Sequence, residues 1–471
     1  MKNARFFKKA VALGTACVLS ASLLAGCGGA ASSEAAAPAD TTSTTTETAD
    51  ANSNTNTDSG EKTEIVFWTT QRHDLDFMEQ KIQEFNETND KNIVVKYEAM
   101  TDNYDNNLEL AFQSNQAPDI FRPKSEIVPY VKKGMAIPID DYLTDADRER
   151  YGDTLGVQNI NTYEGKTYSL PAYGNNYRLI YNRDIFRKAG LDPDSPPTTM
   201  EELREDAKII TEKLKGEGVY GFAMNLKNAY SAMYRSVDEV ARLSDMFYYD
   251  FSEGKYDFTD YAKVVQSFAD IYADGSFFPG AESLDMDPLR TQFALGKIGM
   301  YISGYWEVSV YDSQFPTDQD WAACVMPTYD GVVDGVNTMN SAGRSFCISS
   351  QCKNPEAAWE VLKYISSDEF MAEYQEGGYG NIIVPSIAAK ANTSTIYGSD
   401  FFKLVDTDTI QPLAPEMAGL EIEGRTFYDE FGAVILGEES IDGVADAMTE
   451  KYNAALDEAV SSGSMEPIVK E

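Results

Sequence analysis

His73 is the only histidine in 471 residues, so any Ser-His-Asp or Cys-His relay would have to run through that one side chain, and no Gly-x-Ser-x-Gly elbow accompanies it. Cys-x-x-Cys, His-Glu-x-x-His, EF-hand and P-loop patterns are missing too, which argues against metal or nucleotide chemistry and against a cofactor. Two carboxylates facing a sugar would suffice for glycoside hydrolysis. With 76 Asp and Glu residues in the chain, however, such a pair can always be drawn, and the pattern carries no weight alone. The remaining chemistry-bearing groups suit holding a polar molecule rather than altering it. Arg72, His73 and Asp74 sit in a polar loop, and Arg122 and Lys124 place two cations close together in a very acidic chain. Each has a plainer reading, since such loops are polar by default and surface cations pair with neighbouring carboxylates.

The elements around these residues alternate. Ile65 to Trp68 reads as a buried strand, Thr69 to Asp74 as a loop, and Phe77, Met78, Ile82 and Phe85 as one face of a helix, with Ile93 to Val95 as the next strand. Strand, loop, helix, strand with continuous apolar runs implies an α/β fold with a parallel sheet covered by helices. Asp119 to Phe121 and Leu179 to Tyr181 read as further strands and Ile127 to Lys133 as a helix stopped by Gly134. Thr199 and Glu202 form a capping box ahead of the stripe Leu203, Ala207, Ile210 and Leu214. Tyr261, Val264, Val265, Phe268 and Tyr272 mark another helix, and one more is expected to be capped by Asn354 and opened by Pro355. The Thr69 to Asp74 loop and Arg122 both follow the carboxyl end of a strand, where open α/β sheets bind ligands.

The N-terminus has a basic head (Lys2, Arg5, Lys8, Lys9) and an uncharged apolar run from Val11 to Leu24, as expected of a signal peptide over residues 1–26. Leu24-Ala-Gly-Cys27 looks like a lipobox, with Cys27 taking a diacylglycerol. Residues 28–60 contain no Ile, Leu, Val, Phe, Tyr or Trp and cannot offset the entropy of ordering, so they are expected to form a disordered tether. The formal net charge of −37 excludes binding to nucleic acid, whose phosphates would be repelled. Cys347 and Cys352 are conceivable disulfide partners, but Cys347 lies in an apolar stretch and reads more simply as a buried small hydrophobe.

Taken in order, Glu64-Ile-Val-Phe-Trp68, Ala117-Pro-Asp-Ile120, Gly134 to Asp140, Gly165 to Pro171, Leu179 to Phe186 with Ala189-Gly-Leu191, Phe293 to Trp306 and Lys353 to Trp359 resemble the family 1 extracellular solute-binding proteins of ABC importers. That family's carbohydrate-binding members include maltose-binding protein. Each motif is weak alone, but their order and spacing cover the whole body after the tether. The resemblance implies a two-lobed periplasmic-binding-protein fold, each lobe a mostly parallel sheet flanked by helices, joined by a hinge that the chain crosses more than once. It places residues 61–170 and 328–375 in lobe 1, and 171–327 and 376–471 in lobe 2. It also implies a small solute, a sugar or oligosaccharide, delivered by a lipid-anchored monomer at the extracellular membrane face to transporter membrane subunits.

A sugar offers apolar C–H faces and a rim of hydroxyls, so its receptor needs an aromatic platform with fixed donors and acceptors. The resemblance puts Trp306 where a stacking tryptophan belongs, with Gly304 allowing close backbone approach and Glu307 beside it as an acceptor; a core tryptophan and a solvated carboxylate are the alternatives. Tyr173, Asn175, Asn176 and Tyr177 occupy the first crossover, where amides and phenols would bind a neutral polyol. Gly343, in Ser341-Ala-Gly-Arg344, and the aromatics Tyr379 and Tyr428 complete the candidates. The family's usual acidic residue near this crossover is missing, which leaves the sugar's identity open. Polyamines and phosphorylated polyols are alternative solutes, and a surface glycoside hydrolase is the rival enzyme reading.

Overall fold

The computed structural model describes residues 62–100, 103–123, 127–157, 159–171, 173–338, 346–384, 390–392, 396–466 and 468–469. The expected signal peptide, Cys27 and the tether, as well as Lys124 and Gly343, lie outside the described residues. The strands that matter here are β1 (Thr63–Thr69), β2 (Ile93–Ala99), β3 (Ile120–Phe121), β4 (Tyr173–Gly174), β5 (Tyr177–Asn182) and β6 (Tyr220–Phe222). They continue with β7 (Ile298–Gly304), β8 (Trp321–Cys324), β9 (Asn337–Thr338), β10 (Cys347–Ile348), β11 (Asn381–Ile382) and β12 (Asp408–Thr409).

The first sheet has the order β10-β3-β1-β2. β1 runs parallel to β2 and β3, and β10 closes the edge antiparallel to β3. Ile65 and Phe67 of β1 are fully buried. Helix α1 (Leu75–Thr88) covers the sheet with Met78, Ile82 and Phe85, the stripe expected from their spacing. The second sheet has the order β8-β5-β7-β6, and here the expected parallel arrangement gives way. β5 pairs antiparallel with both β7 and β8, and only β6 and β7 run parallel. The physical reason is that β5 and β7 are buried along their whole length. Such burial produces a continuous apolar run whichever way the neighbours point, so the run could not disclose strand direction.

Helix α2 (Met200–Leu214) packs on the second sheet, and its N-terminus carries the expected capping box, with Glu202 N donating to Thr199 Oγ1 at 3.0 Å and Thr199 N to Glu202 Oε2 at 3.2 Å. Helices α3 (Ala229–Arg235), α4 (Val237–Leu243) and α5 (Thr259–Ala273) pack beside it, and α6 (Met286–Ala294) lies against a separate patch with Tyr301 and Tyr311. In the first lobe, α7 (Pro355–Ile365) buries Ala358, Trp359, Leu362 and Ile365, each large side chain contributing roughly 1.5–3 kcal/mol. Asn354 precedes this helix, but its side chain makes no cap hydrogen bond, contrary to the capping role expected of it. Cys324, Cys347 and Cys352 are all free thiols, Cys347 buried in β10. No helix among the described residues is long and apolar enough to cross a membrane.

One apolar core draws on residues 65–173 and 346–384, and the larger one on residues 177–326 and 414–456. Ile382 and Val384, beyond the expected boundary at residue 375, join the first core. The chain therefore passes between the lobes three times. β4 and β11 pair antiparallel at the crossing, and β9 runs parallel to β12. Asn176 ties the first and last passages together, donating to Phe402 O at 2.9 Å and Asp408 Oδ2 at 3.1 Å while accepting from Asn381 Nδ2 at 3.0 Å. Beside it Arg178 and Asp408 form a fork-to-fork ion pair with almost no exposed surface. Removing one partner of such a pair costs about 3–5 kcal/mol, because the other charge is left buried alone.

The second core contains acids. Asp238 is fully buried and accepts from Tyr261 Oη at 2.6 Å and Tyr428 Oη at 2.7 Å, and Glu239 accepts from Thr338 N at 2.8 Å. Burial pushes the Asp238 carboxyl up to about 7 and Glu239 up to about 8. The folded chain thus keeps protons that the unfolded chain releases near pH ~4, and this stabilisation, complete below that pH, is lost as pH rises through 7 to 8. The thermal midpoint should fall between pH 5 and 8.5, and Asp238→Asn should flatten the fall. A midpoint that stays level or rises over that range in the unsubstituted protein would contradict this.

Candidate functional site

A cavity of about 470 Å³ opens between the lobes, within the roughly 300–1,000 Å³ of small-ligand pockets. Its first wall is the loop after β1, with Thr70, Gln71, Arg72 and His73, together with Arg122 from the end of β3. This is the strand-end location that the sequence pointed to. Arg122 donates to Thr70 Oγ1 at 3.0 Å, which holds the two loop ends together. Arg72 reaches across the opening: its guanidinium lies 3.5 Å from Asp287 of α6, and its carbonyl accepts from Gln314 Nε2 at 3.3 Å.

The other members of that loop are braced from below. The Tyr374 hydroxyl lies 3.0 Å from Asp74 Oδ2, 3.1 Å from the Tyr173 hydroxyl and 3.2 Å from His73 Nε2, which is also 3.2 Å from Tyr379 O. Gln71 Nε2 donates to the Tyr173 hydroxyl at 2.8 Å. Asp74 and Tyr173 are buried under the loop and do not line the cavity, and neither does Tyr379. Asn176 belongs to the hinge. Asn175 does line the cavity. Its Oδ1, like Gln71 Oε1, is buried with no hydrogen-bond partner among the described residues. A buried acceptor left so costs about 1–3 kcal/mol, a cost that a hydroxyl donor entering the cleft would remove.

The facing wall is aromatic and comes from the second lobe. Trp306 follows β7 and lines the cavity with Tyr177, Tyr230 and Tyr234. Tyr230 and Tyr234, one turn apart on α3, stack at 5.7 Å and 13°. The Tyr177 ring meets Tyr234 and Trp306 edge-on at 6.1 and 5.7 Å. Tyr428 lies behind this wall, its ring 5.1 Å from Tyr230 and its hydroxyl bound to Asp238. Gly304 has a different use from the close approach to a ligand expected of it: a Cβ there would stand 2.5 Å from the Trp306 ring. The glycine lets the indole fold back over its own strand.

Glu307 is fully buried and does not line the cavity. Its carboxylate accepts from Arg290 Nε at 3.0 Å, Arg290 Nη2 at 2.8 Å, Ser303 Oγ at 2.8 Å and Trp306 Nε1 at 2.9 Å. It therefore orients the indole and the arginine and has little capacity left for a solute. Burial opposes the charge on Arg290, but Glu307 more than offsets this and holds its pKa above the ordinary value. Arg235, at the end of α3, lines the cavity with its guanidinium 5.9 Å from the Trp306 ring centre. Sequence reasoning passed over Tyr230, Tyr234, Arg235, Asp287 and Arg290. The spacing of Tyr230 and Tyr234 is a usable signal, but an i, i+4 aromatic pair reads first as a core stripe.

Among the described residues no group of three or more His, Cys, Asp and Glu side chains is arranged to hold a metal ion. Gly304→Ala should displace the indole and weaken solute binding nearly as much as Trp306→Ala. Calorimetric titration checks this, and full affinity in Gly304→Ala would show that the indole position does not matter.

The sequence profile of the bacterial extracellular solute-binding proteins matches residues 69–372. A binding protein of Brucella abortus is 27% identical over 254 residues, covering 53% of this chain and 58% of the relative, so the chain spans little more than half the length of that relative. A solute-binding protein of an ABC transporter from Thermotoga lettingae, solved with α-D-tagatose bound, superposes with a TM-score of 0.68 at 20% identity over 84% of this chain and 100% of its own. The GacH receptor of Streptomyces glaucescens, solved unliganded and with acarbose, gives 0.68 at 19% identity over 84% and 99%. Both structural likenesses speak to the fold.

Proposed function

The chain belongs to the bacterial extracellular solute-binding proteins, and from that premise we propose that it is the lipid-anchored receptor that delivers a sugar or short oligosaccharide to an ABC importer, unchanged. The observation that carries this reading is the pairing of two surfaces across one cavity. An aromatic wall of Trp306, Tyr230 and Tyr234 shares the cavity with Gln71 of the loop after β1 and Asn175 of the first crossover, whose amide oxygens have no hydrogen-bond partner among the described residues. Aromatic faces suit the C–H surface of a sugar, and vacant acceptors suit its hydroxyls. The sugar-bound state of the tagatose and acarbose receptors supports the same class. A polyamine fits poorly, since Arg72, Arg122, Arg235 and Arg290 all line the cleft.

The mechanism is closure by population shift. A solute touching both walls favours the closed arrangement by its extra contacts there, and the Arg72–Asp287 pair spans the same gap. The receptor works as a monomer, docking its closed form on the transporter's membrane subunits. Cys27 carries the diacylglycerol, and the tether of residues 28–60 holds the body near the importer at high effective concentration; Cys27→Ser should move the protein from the membrane fraction to the soluble one.

A thermal-shift screen of the chain against neutral mono-, di- and oligosaccharides, uronic acids, sugar phosphates and polyamines tests the function. A ligand at 100 times its dissociation constant should add about 2.7 kcal/mol. Stabilisation by one sugar class, with the sugar recovered intact, is the expected result. Recovery of a cleaved sugar would make the protein a hydrolase, and a response to polyamines alone would refute the sugar assignment.

A further inference from the structure

The charge lining the cleft is at odds with the rest of the molecule. The chain carries a formal net charge of −37, yet the described side chains lining the cavity include four arginines and one carboxylate, Asp287. Asp287 is already shared, lying 3.5 Å from Arg72 and 3.1 Å from Arg290. Glu307, just behind the wall, is taken by Arg290, Ser303 and the indole. Arg235 makes no ion pair among the described residues. Its guanidinium donates to Met286 Sδ at 3.1 Å and to Ser231 Oγ, a weak acceptor and a neutral one.

We propose that the solute is an acidic sugar, bearing a carboxylate or a phosphate, and that Arg235, whose guanidinium lies over the Trp306 ring, receives this anionic group. A largely enclosed guanidinium without a counter-anion is costly, and a planar fork of donors matches both oxyanions. Burial first, and then the like charge of Arg290, hold the Arg235 pKa below its ordinary value, as expected of a cation whose compensating charge has to come from elsewhere. The geometry also suits one molecule: with Arg235 5.9 Å from the Trp306 ring centre, a pyranose stacked on the indole can extend an exocyclic acid to the guanidinium. Arg122 on the opposite lobe lines the same cavity, so an anion there draws on cations from both lobes and favours closure.

This inference rests on the reading of the cleft as the solute site, and the two fail differently. Calorimetric titration of the full chain would compare glucuronate, galacturonate, digalacturonate and glucose 6-phosphate with glucose, galactose and maltose. At least one acid should bind roughly 30-fold more tightly than its neutral counterpart, the order expected of a charged hydrogen-bonded pair. Arg235→Gln should abolish that preference, and Arg235→Lys, which keeps the charge but not the fork, should retain part of it with an unaltered thermal midpoint. Uronates binding without the phosphate would assign the group as a carboxylate, and the converse as a phosphate. Equal affinity for acid and neutral sugars, or an acid preference that survives in Arg235→Gln, overturns the acidic subsite and leaves the sugar receptor standing. The absence of binding by every probe counts against both.

Discussion

Glu307 has no surface exposed to solvent, and a carboxylate so placed must be fully paired or its burial would unfold the site around it. Arg290 supplies two donors, Ser303 one and the indole of Trp306 one. These bonds lock a strand end, helix α6 and the tryptophan into one unit. The aromatic wall then stands in a fixed place, Asp287 is left at the rim to meet Arg72, and Arg235 is left against the ring with no carboxylate paired to it among the described residues. The arrangement of the cleft follows from satisfying one buried charge.

The second constraint is that the two cores must stay separate while the chain runs between them three times. Short strands do this work: β4 with β11 and β9 with β12 pair two residues at a time. So few ladder bonds leave the passages able to bend, whereas Asn176 and the buried Arg178–Asp408 pair fix which segments lie together. The same logic accounts for residues that look like ligands in sequence. Tyr173 and Asp74 form a hydrogen-bonded base beneath the loop that carries Arg72 and His73.

Much of the scaffold was legible because local rules decided it. The α1 stripe, the Thr199–Glu202 box and the stop at Gly134 each depend on neighbours in sequence, and each forms as read. Strand direction in the second sheet was hidden, because burial on both faces erases the alternation that separates a half-buried strand from a central one. Trp306 could be picked out, since its position after an apolar strand and a glycine is local. The role of Glu307 could not: its partner Arg290 lies seventeen residues earlier on another element, and nothing local distinguishes a carboxylate at a surface from one in an ion pair. Tyr230, Tyr234 and Arg235 escaped for a related reason, because which face of α3 meets the cleft is set by the packing of α3 against α4 and α8 (Phe427–Ile435).

The proposed receptor closes its two lobes over a solute that bridges the Arg72 loop and the Trp306 wall. The most direct test is small-angle X-ray scattering from residues 62–471, alone and saturated with the sugar that stabilises the protein best. A fall in the radius of gyration on saturation, absent in Trp306→Ala at the same sugar concentration, is the predicted result. An unchanged radius at a concentration that calorimetry shows to be saturating would mean that the solute does not bring the lobes together, and closure as the signal to the transporter would have to be abandoned.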